Sequence, residues 1–320
     1  MRKQLLELIK CPVCQGEQFD LSSIRENQVE IRQAIITCRG CQHAFHVENG
    51  VLDLLVNPSQ EITSEQAGWA QLEKMVVNTD ELMLSLPDGI AEHKAAWQSQ
   101  AENFHYMWSQ IQLNGTEKVL DLGAGRCWAT RYFARRGCLA VGLDVLLTRY
   151  VGLLTSDVYI EKEGVYFERV CSDMNQIPMR DSVFDVVFMA ATLHHSSDIQ
   201  ATLKQVHAAL KPGGSLVLIN EPVVSLFASK NLSCPEVEHG INEHVYRYLE
   251  YHRALKGLKF NLQLFPFIGG YATPVRTLNH LMVKMFPKQL MPKRVWPPLL
   301  VAQLLLFGGI LNLFAQKPDK

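Results

Sequence analysis

The chain has 320 residues, 48% hydrophobic and 20% charged, with a formal net charge of −1. That length allows two or three units with at least one sizeable core. The near-neutral balance argues against a protein built mainly to grip a nucleic-acid backbone, a task that calls for a strongly basic surface.

The N-terminus, MRKQLLELIKCPVC, does not read as a secretory signal. Glu7 and Lys10 break its apolar stretch, and no small-residue cleavage site follows. Of the eight cysteines, Cys127, Cys138, Cys171 and Cys234 are isolated and read as buried thiols of a reducing compartment. The expectation is a cytoplasmic protein.

Residues 1–56 hold the other four cysteines, Cys11-Pro-Val-Cys14 and Cys38-Arg-Gly-Cys41. Each CxxC turn can aim two thiolates at one ion, and two such turns complete a tetrahedron that suits Zn²⁺. His43 and His46 are left out, because the cysteines already fill the shell. A closed four-thiolate site has no open position, so the ion is expected to be structural. It would support a segment too short to build a core alone. Whether this ribbon docks a partner or only stabilises the chain stays open.

Residues 57–115 are polar and read as helical, a linker and cofactor-capping segment containing Trp69, Trp97, Phe104, Tyr106 and Trp108. Tyr106 and Trp108 either face a cofactor, stacking on adenine or meeting a cation, or pack in the core.

Residues 116–222 alternate short apolar runs with helical patterns. KVLDLG, LAVGLD, VYFERVCSD, FDVVFMA and SLVLINE read as five strands. Trp128–Arg136 and Ile199–Leu210 read as helices, the second stopped by Lys211-Pro212-Gly213-Gly214. The alternation predicts an α/β fold, a doubly wound, Rossmann-like parallel sheet that binds ligand at the carboxyl ends of its strands.

The residues at those ends narrow the ligand. Gly123 and Gly125 form a G-x-G turn, but Trp128 stands where a dinucleotide fingerprint has its third glycine. Asp121 would repel phosphate and suits a cationic amine or sulfonium. Asp144 ends the second strand, where a carboxylate can accept ribose hydroxyls. Asp173, followed by Met174, ends the third and can accept from an adenine amino group. Three acids in this order outline an adenosine pocket with room for a positive centre, which S-adenosylmethionine (SAM) matches.

Residues 116–222 resemble a class I SAM-dependent methyltransferase. The matching pieces are VLDLGAG, VGLD, SDMNQIPMRDSVFDVVFMAATLHHSSD and LKPGGSLVLINEP. The resemblance implies that Asp121, Gly123 and Gly125 line the methionine end. It also implies that Asp144 holds the ribose and that Asp173 and the Met174 backbone contact adenine. The third glycine of the family's G-x-G-x-G is Cys127 here, a departure that bears on the shape of that loop alone. Residues 1–56 resemble the small zinc-ribbon proteins that accompany tRNA methyltransferases, on CPVC, ITCRGC and FHVENGVLDLL. WQSQAENFHYMWSQ (97–110) and INEHVYRYLEYHRALKGLKF (241–260) resemble segments of methyltransferases encoded with polysaccharide genes.

Methyl transfer to oxygen or nitrogen needs a proton taken. His194 and His195 in TLHHSSD, and Glu221 ending the fifth strand, are the candidate catalytic residues. His239, Glu243 and His244 form a third group that can serve as base or metal site. Residues 223–290 are expected to bind the acceptor.

Residues 291–320 form an apolar tail, read as helical. WPPLLVAQLLLFGGILNLFA (296–315) follows Lys284, Lys288, Lys293 and Arg294. It can lie on an anionic membrane surface, be buried in the core or an interface, or span a bilayer. The favoured function is methyl transfer to a small-molecule, glycan or lipid-linked acceptor, with peripheral contact at the inner face of the membrane as an option. An rRNA or tRNA base methyltransferase and a non-catalytic SAM-binding partner protein are the alternatives. Nucleic acid ranks lower as a partner on charge, and self-association stays open.

Overall fold

The computed structural model describes residues 1–72, 78–90, 93–230, 234–268 and 296–319. The first segment contributes β1 (Phe19–Glu26), β2 (Ile31–Cys38), β3 (Ala44–Glu48) and β4 (Val51–Asp53), antiparallel in sequence order. Helices α1 (Gln60–Leu72), α2 (Asp80–Ser85) and α3 (Lys94–Trp108) follow. The central stretch is β5 (Lys118–Leu122), α4 (Trp128–Arg135), β6 (Leu139–Asp144), α5 (Asp157–Glu163), β7 (Glu168–Cys171), β8 (Phe184–Ala190), α6 (Ile199–Ala209) and β9 (Leu210–Val224). The last part holds α7 (Pro235–Glu238), β10 (Tyr246–Arg247), α8 (Tyr248–Gly257), β11 (Asn261–Phe265), α9 (Trp296–Leu306) and β12 (Gly309–Gln316).

Among the described residues all twelve strands join one sheet, ordered β1-β2-β3-β4-β7-β6-β5-β8-β9-β12-β11 with β10 beside β9. The five expected strands are β5 to β9, and their mutual pairings are parallel. Covered on both faces, they read as apolar runs rather than alternating ones. Strand order reverses at β5, which has β6 on one side and β8 on the other. A crevice opens at such a switch point, outside the carboxyl ends.

The cysteine-bearing strands do not hang free. β4 pairs parallel with β7, Val51 to Arg169, Leu52 to Val170 and Asp53 to Cys171. Beside this ladder Arg169, fully buried, donates to Asp157 Oδ1 at 2.6 Å and to Glu30 Oε1 at 2.8 Å. Arg32 reaches the same two carboxylates at 3.1 and 2.7 Å. Gly50 turns the chain between β3 and β4 at φ +79°, and a Cβ there would stand 2.3 Å from Glu30 Oε2. Only glycine leaves room for the ion pair.

The apolar tail departs from expectation. It is not one helix: α9 ends at Leu306, and residues 309–316 are β12, antiparallel between β9 and β11. Gly308 and Gly309, at φ +71° and +133°, make the break. Leu311, Leu313 and Ala315 are buried in the core. Asn312 belongs in this run because its amide meets Asn103 at 2.8 and 3.0 Å and takes the Asn220 N–H at 3.1 Å. Among the described residues no helix is long and apolar enough to cross a membrane. Lys284, Lys288, Lys293 and Arg294 lie outside the described residues.

The charge cluster gives a stability prediction. Burial resists ionisation of Glu30 and Asp157, but Arg169 and Arg32 overcome it and hold both carboxyls below the ordinary range. Their contribution is full above about pH 4 and is lost as pH falls through the lowered folded values. Arg169→Ala leaves two carboxylates buried without their main partner. Urea unfolding at neutral pH is expected to show a loss of about 3–5 kcal/mol, with a smaller acid-induced loss than in wild type.

Candidate functional site

β5 ends in a tight turn over the switch point. Gly123 and Gly125 have φ of +66° and +48°. A Cβ on Gly123 would stand 2.0 Å from Thr192 Cγ2, so the turn packs directly on the loop after β8. Cys127, in the family's third-glycine position, keeps a left-handed φ of +57° and starts α4. A non-glycine residue thus holds the left-handed conformation at a local cost of about 1–2 kcal/mol. Room for the buried thiol comes from Gly142 on β6, where a Cβ would meet Cys127 Sγ at 3.0 Å.

A cavity of about 340 Å³ opens above this turn, within the usual range for a small-ligand site. Gly123–Arg126 form its floor. Asp144 stands on one wall, its carboxylate accepting the Gly125 N–H at 2.8 Å and the Leu146 N–H at 2.8 Å. Ser172 and Met174 line another side, Ala190–Thr192 and His195 a third. Trp69, Trp97 and Trp128 supply aromatic surface, and Glu65 a second acid.

Next to His195 the loop after β8 is clamped by a buried carboxylate. Glu221 accepts the backbone N–H groups of Thr192, Leu193 and His194 at 2.7, 2.8 and 3.2 Å, and faces His194 Nδ1 at 3.1 Å. His194 Nε2 faces Glu243 at 3.3 Å, and His195 Nε2 faces the other oxygen of Glu243 at 3.8 Å. His195 Nδ1 lies 2.6 Å from the Asn242 carbonyl.

At the other end of the sheet, Cys11, Cys14, Cys38 and Cys41 bring their sulfurs within 4.8 Å of one another. Cys11 and Cys41 are 3.7 Å apart, Cys14 and Cys38 3.5 Å. Tetrahedral Zn–S bonds of about 2.3 Å set sulfurs about 3.8 Å apart, so the four residues fit that ion. Gly16 and Gly40 crowd the site, each with a Cβ position 3.2–3.3 Å from Cys14 Sγ.

Residues 120–218 match a family model described as a methyltransferase domain, and residues 2–50 match that of Trm112p-like proteins. The chain carries a methyltransferase domain behind a Trm112p-like domain. Among curated proteins, a demethylmenaquinone methyltransferase of Mycobacterium marinum is 31% identical over 126 residues, 38% of this chain and 49% of that protein. The glycine/sarcosine/dimethylglycine N-methyltransferase of Actinopolyspora halophila is 33% identical over 135 residues, 39% of this chain and 22% of that protein. The chain thus spans about half or less of the length of these two relatives. Among solved structures, phosphoethanolamine N-methyltransferase 2 of Haemonchus contortus is similar at 15% identity and TM-score 0.45, covering 76% of this chain and 61% of that one.

Within the methyltransferase domain, the expected residues divide. Gly123, Gly125, Asp144, Met174 and His195 line the cavity. Asp121 does not: it is 2% exposed, and its carboxyl takes the Thr130 hydroxyl at 2.5 Å. Asp173 turns back on its own loop, accepting from the Asn175 backbone and amide at 2.7 and 2.8 Å, while its neighbours Ser172 and Met174 face the cavity. Tyr106 is also outside and packs near Phe265. Trp97, nine residues earlier on α3, lines the cavity instead. At 100° per residue those two positions lie half a turn apart, so one helix face cannot offer both. Trp108 packs on Phe104 and Phe133 in the core.

Glu221 is fully buried and off the cavity, which fits positioning rather than contact with substrate. His194 is likewise off the cavity. Of the group His239, Glu243 and His244, only Glu243 joins the histidine pair. His239 faces the Pro235 carbonyl at 2.7 Å, and the His244 N–H donates to the His194 carbonyl at 3.2 Å. Glu65, Trp69 and Arg126 also line the cavity, and neither Glu65 nor Trp69 lies in an acid or glycine motif that marks a cofactor site. Glu65 and Trp69 sit four apart on α1, a spacing that shares a face and is the signal available for them.

Burial dominates the acids here. It pushes Asp144 up to about 6 and Asp121 up to about 7. Burial and then the Asp144 charge push Glu65 up to about 8. A raised folded pKa stabilises below the ordinary carboxylate range, and the benefit is lost as pH rises through the folded value. Urea unfolding of the ligand-free chain is expected to show a loss of roughly 4 kcal/mol from these three acids between pH 6 and pH 8. Glu65→Gln should remove the part of that slope nearest pH 8.

Proposed function

We propose that this protein transfers a methyl group from SAM to a small-molecule, glycan or lipid-linked acceptor. The observation that carries this reading is the cavity at the sheet's switch point, floored by a glycine turn and walled by Asp144. SAM supplies an electrophilic methyl on a positively charged sulfur. Asp144 keeps lone pairs beyond its two backbone bonds and is the group to accept ribose hydroxyls. Ser172 and Met174 flank the adenine end, and the three tryptophans offer electron-rich faces to a cation. His195 is the candidate catalytic residue that meets the acceptor side. Its Nδ1–H donates to the Asn242 carbonyl, which leaves Nε2 with the free lone pair. His194 and Glu221 hold the loop that carries it. The Trm112p-like domain, with a structural zinc, would serve as the sheet's outer edge.

Two measurements test this. Calorimetry is expected to show SAM binding to wild type and at least about tenfold weaker binding to Asp144→Ala, the loss of charged hydrogen bonds. Binding near pH 6–7 should release protons, because a cationic ligand favours ionised Asp144. The second is a label-transfer assay with methyl-labelled SAM and host extract, separated into lipid, RNA and small-molecule fractions. Label in the small-molecule or lipid fraction supports the reading. Label in RNA would replace it with a base methyltransferase, and tight binding with no transfer would replace it with a SAM-binding partner protein.

A further inference from the structure

We propose that His194, His195 and Glu243 hold a second divalent metal ion, at the margin of the cavity that His195 lines. The three side chains offer two imidazole nitrogens and a carboxylate oxygen within 4.8 Å of one another. The individual separations are 3.3 Å from His194 Nε2 and 3.8 Å from His195 Nε2 to the two oxygens of Glu243. Ligands on a tetrahedral zinc at about 2.0–2.2 Å stand about 3.3–3.6 Å apart. The two nitrogen–oxygen separations bracket that range, and the three ligand atoms have to draw in from within 4.8 Å to close on an ion.

The outer partners are those that metal-binding histidines use. A ligating imidazole commonly donates its second N–H to a carboxylate or a backbone carbonyl, which fixes tautomer and ring orientation. His194 Nδ1 faces Glu221 at 3.1 Å, and His195 Nδ1 faces the Asn242 carbonyl at 2.6 Å. A carbonyl can only accept, and Glu221 is already an acceptor for three backbone N–H groups. Both Nδ1 atoms are therefore donors, and both Nε2 atoms are turned to Glu243. The rings lie close, with centroids 4.3 Å apart. Glu65 lies 3.7 Å from His195 Nδ1, away from the Nε2 atoms. The Glu243 carboxylate, which faces both Nε2 atoms, is the charge that favours a cation there.

Three protein ligands leave a coordination position open, the pattern of a catalytic rather than a structural site. Mixed nitrogen and oxygen donors suit zinc or iron(II) more than calcium or magnesium. The open position would take an oxygen, nitrogen or sulfur atom of the methyl acceptor, a use that rests on the methyltransferase reading and that replaces proton removal by His195, whose Nε2 lone pair is then committed to the ion. The site itself rests on the geometry alone.

Cobalt(II) titration of the full, metal-depleted chain tests it, because cobalt reports its ligands in the visible and near-ultraviolet. Two equivalents are expected: one with thiolate charge-transfer bands from the cysteines, one with ligand-field bands only. Glu243→Gln and His195→Ala should each lose the second equivalent while keeping the thiolate bands and the wild-type urea unfolding transition, which together certify the fold. Glu221→Gln should weaken the second equivalent about 10–100-fold. Uptake of one equivalent by wild type overturns the proposal; a proton on His194 then bridges Glu221 and Glu243 instead. Retention of the second equivalent in both ligand variants overturns it as well. SAM calorimetry on the same samples keeps the two readings apart: a second cobalt with no SAM binding would sink the methyltransferase reading and leave the metal site standing.

Discussion

The contact on which the architecture depends is the short parallel ladder between β4 and β7, with Arg169 buried beside it. Three residues on each strand carry the ladder, and it turns two sequence units into one sheet. A cysteine-bearing segment of this size buries too little surface to be stable alone. Here it borrows the edge of the larger sheet, and the larger sheet is relieved of an unpaired edge at β7. Arg169 couples the two halves in charge as well. It sits on a strand of the methyltransferase domain and pairs with Glu30 from the first domain and Asp157 from α5. Arg169 and Glu30 have no water to fall back on, so each depends on the other being in place.

The same economy governs the site. Glu221 is spent wholly on the loop after β8, neutralising three N–H groups that would otherwise be buried without partners. That fixes where His194 and His195 begin. Tyr251 of α8 reaches the same carboxylate at 3.4 Å, so the C-terminal segment also reports to this anchor. Burial opposes charge on His194, but Glu221 and Glu243 on either side push its pKa up to about 10. Burial and the neighbouring His194 push His195 down. Two adjacent histidines thus acquire opposite tendencies from partners that lie far apart in the chain.

The sequence determined the parts that local chemistry dictates. Two CxxC pairs can converge only if the segment folds around them, and apolar runs alternating with helical patterns leave little choice but a parallel sheet. G-x-G after KVLDL marks a turn because only that turn lets the backbone bend so close to Thr192. Asp144 also stands at a strand end, and it meets the cavity because its carboxylate is held by the Gly125 and Leu146 N–H groups. What the sequence left open was anything decided by the side a residue faces. Asp121, Asp173 and Tyr106 have the right chemistry at the right height but are turned away, and neither composition nor spacing records that rotation. Glu65 and Glu243 come from segments with no motif, and only chain packing brings them to His194 and His195. The tail is the clearest case. Its hydrophobicity fits a membrane helix or a buried strand equally well, and what chose was the vacant edge of β9 together with the amides of Asn103 and Asn220, which give Asn312 somewhere to bond.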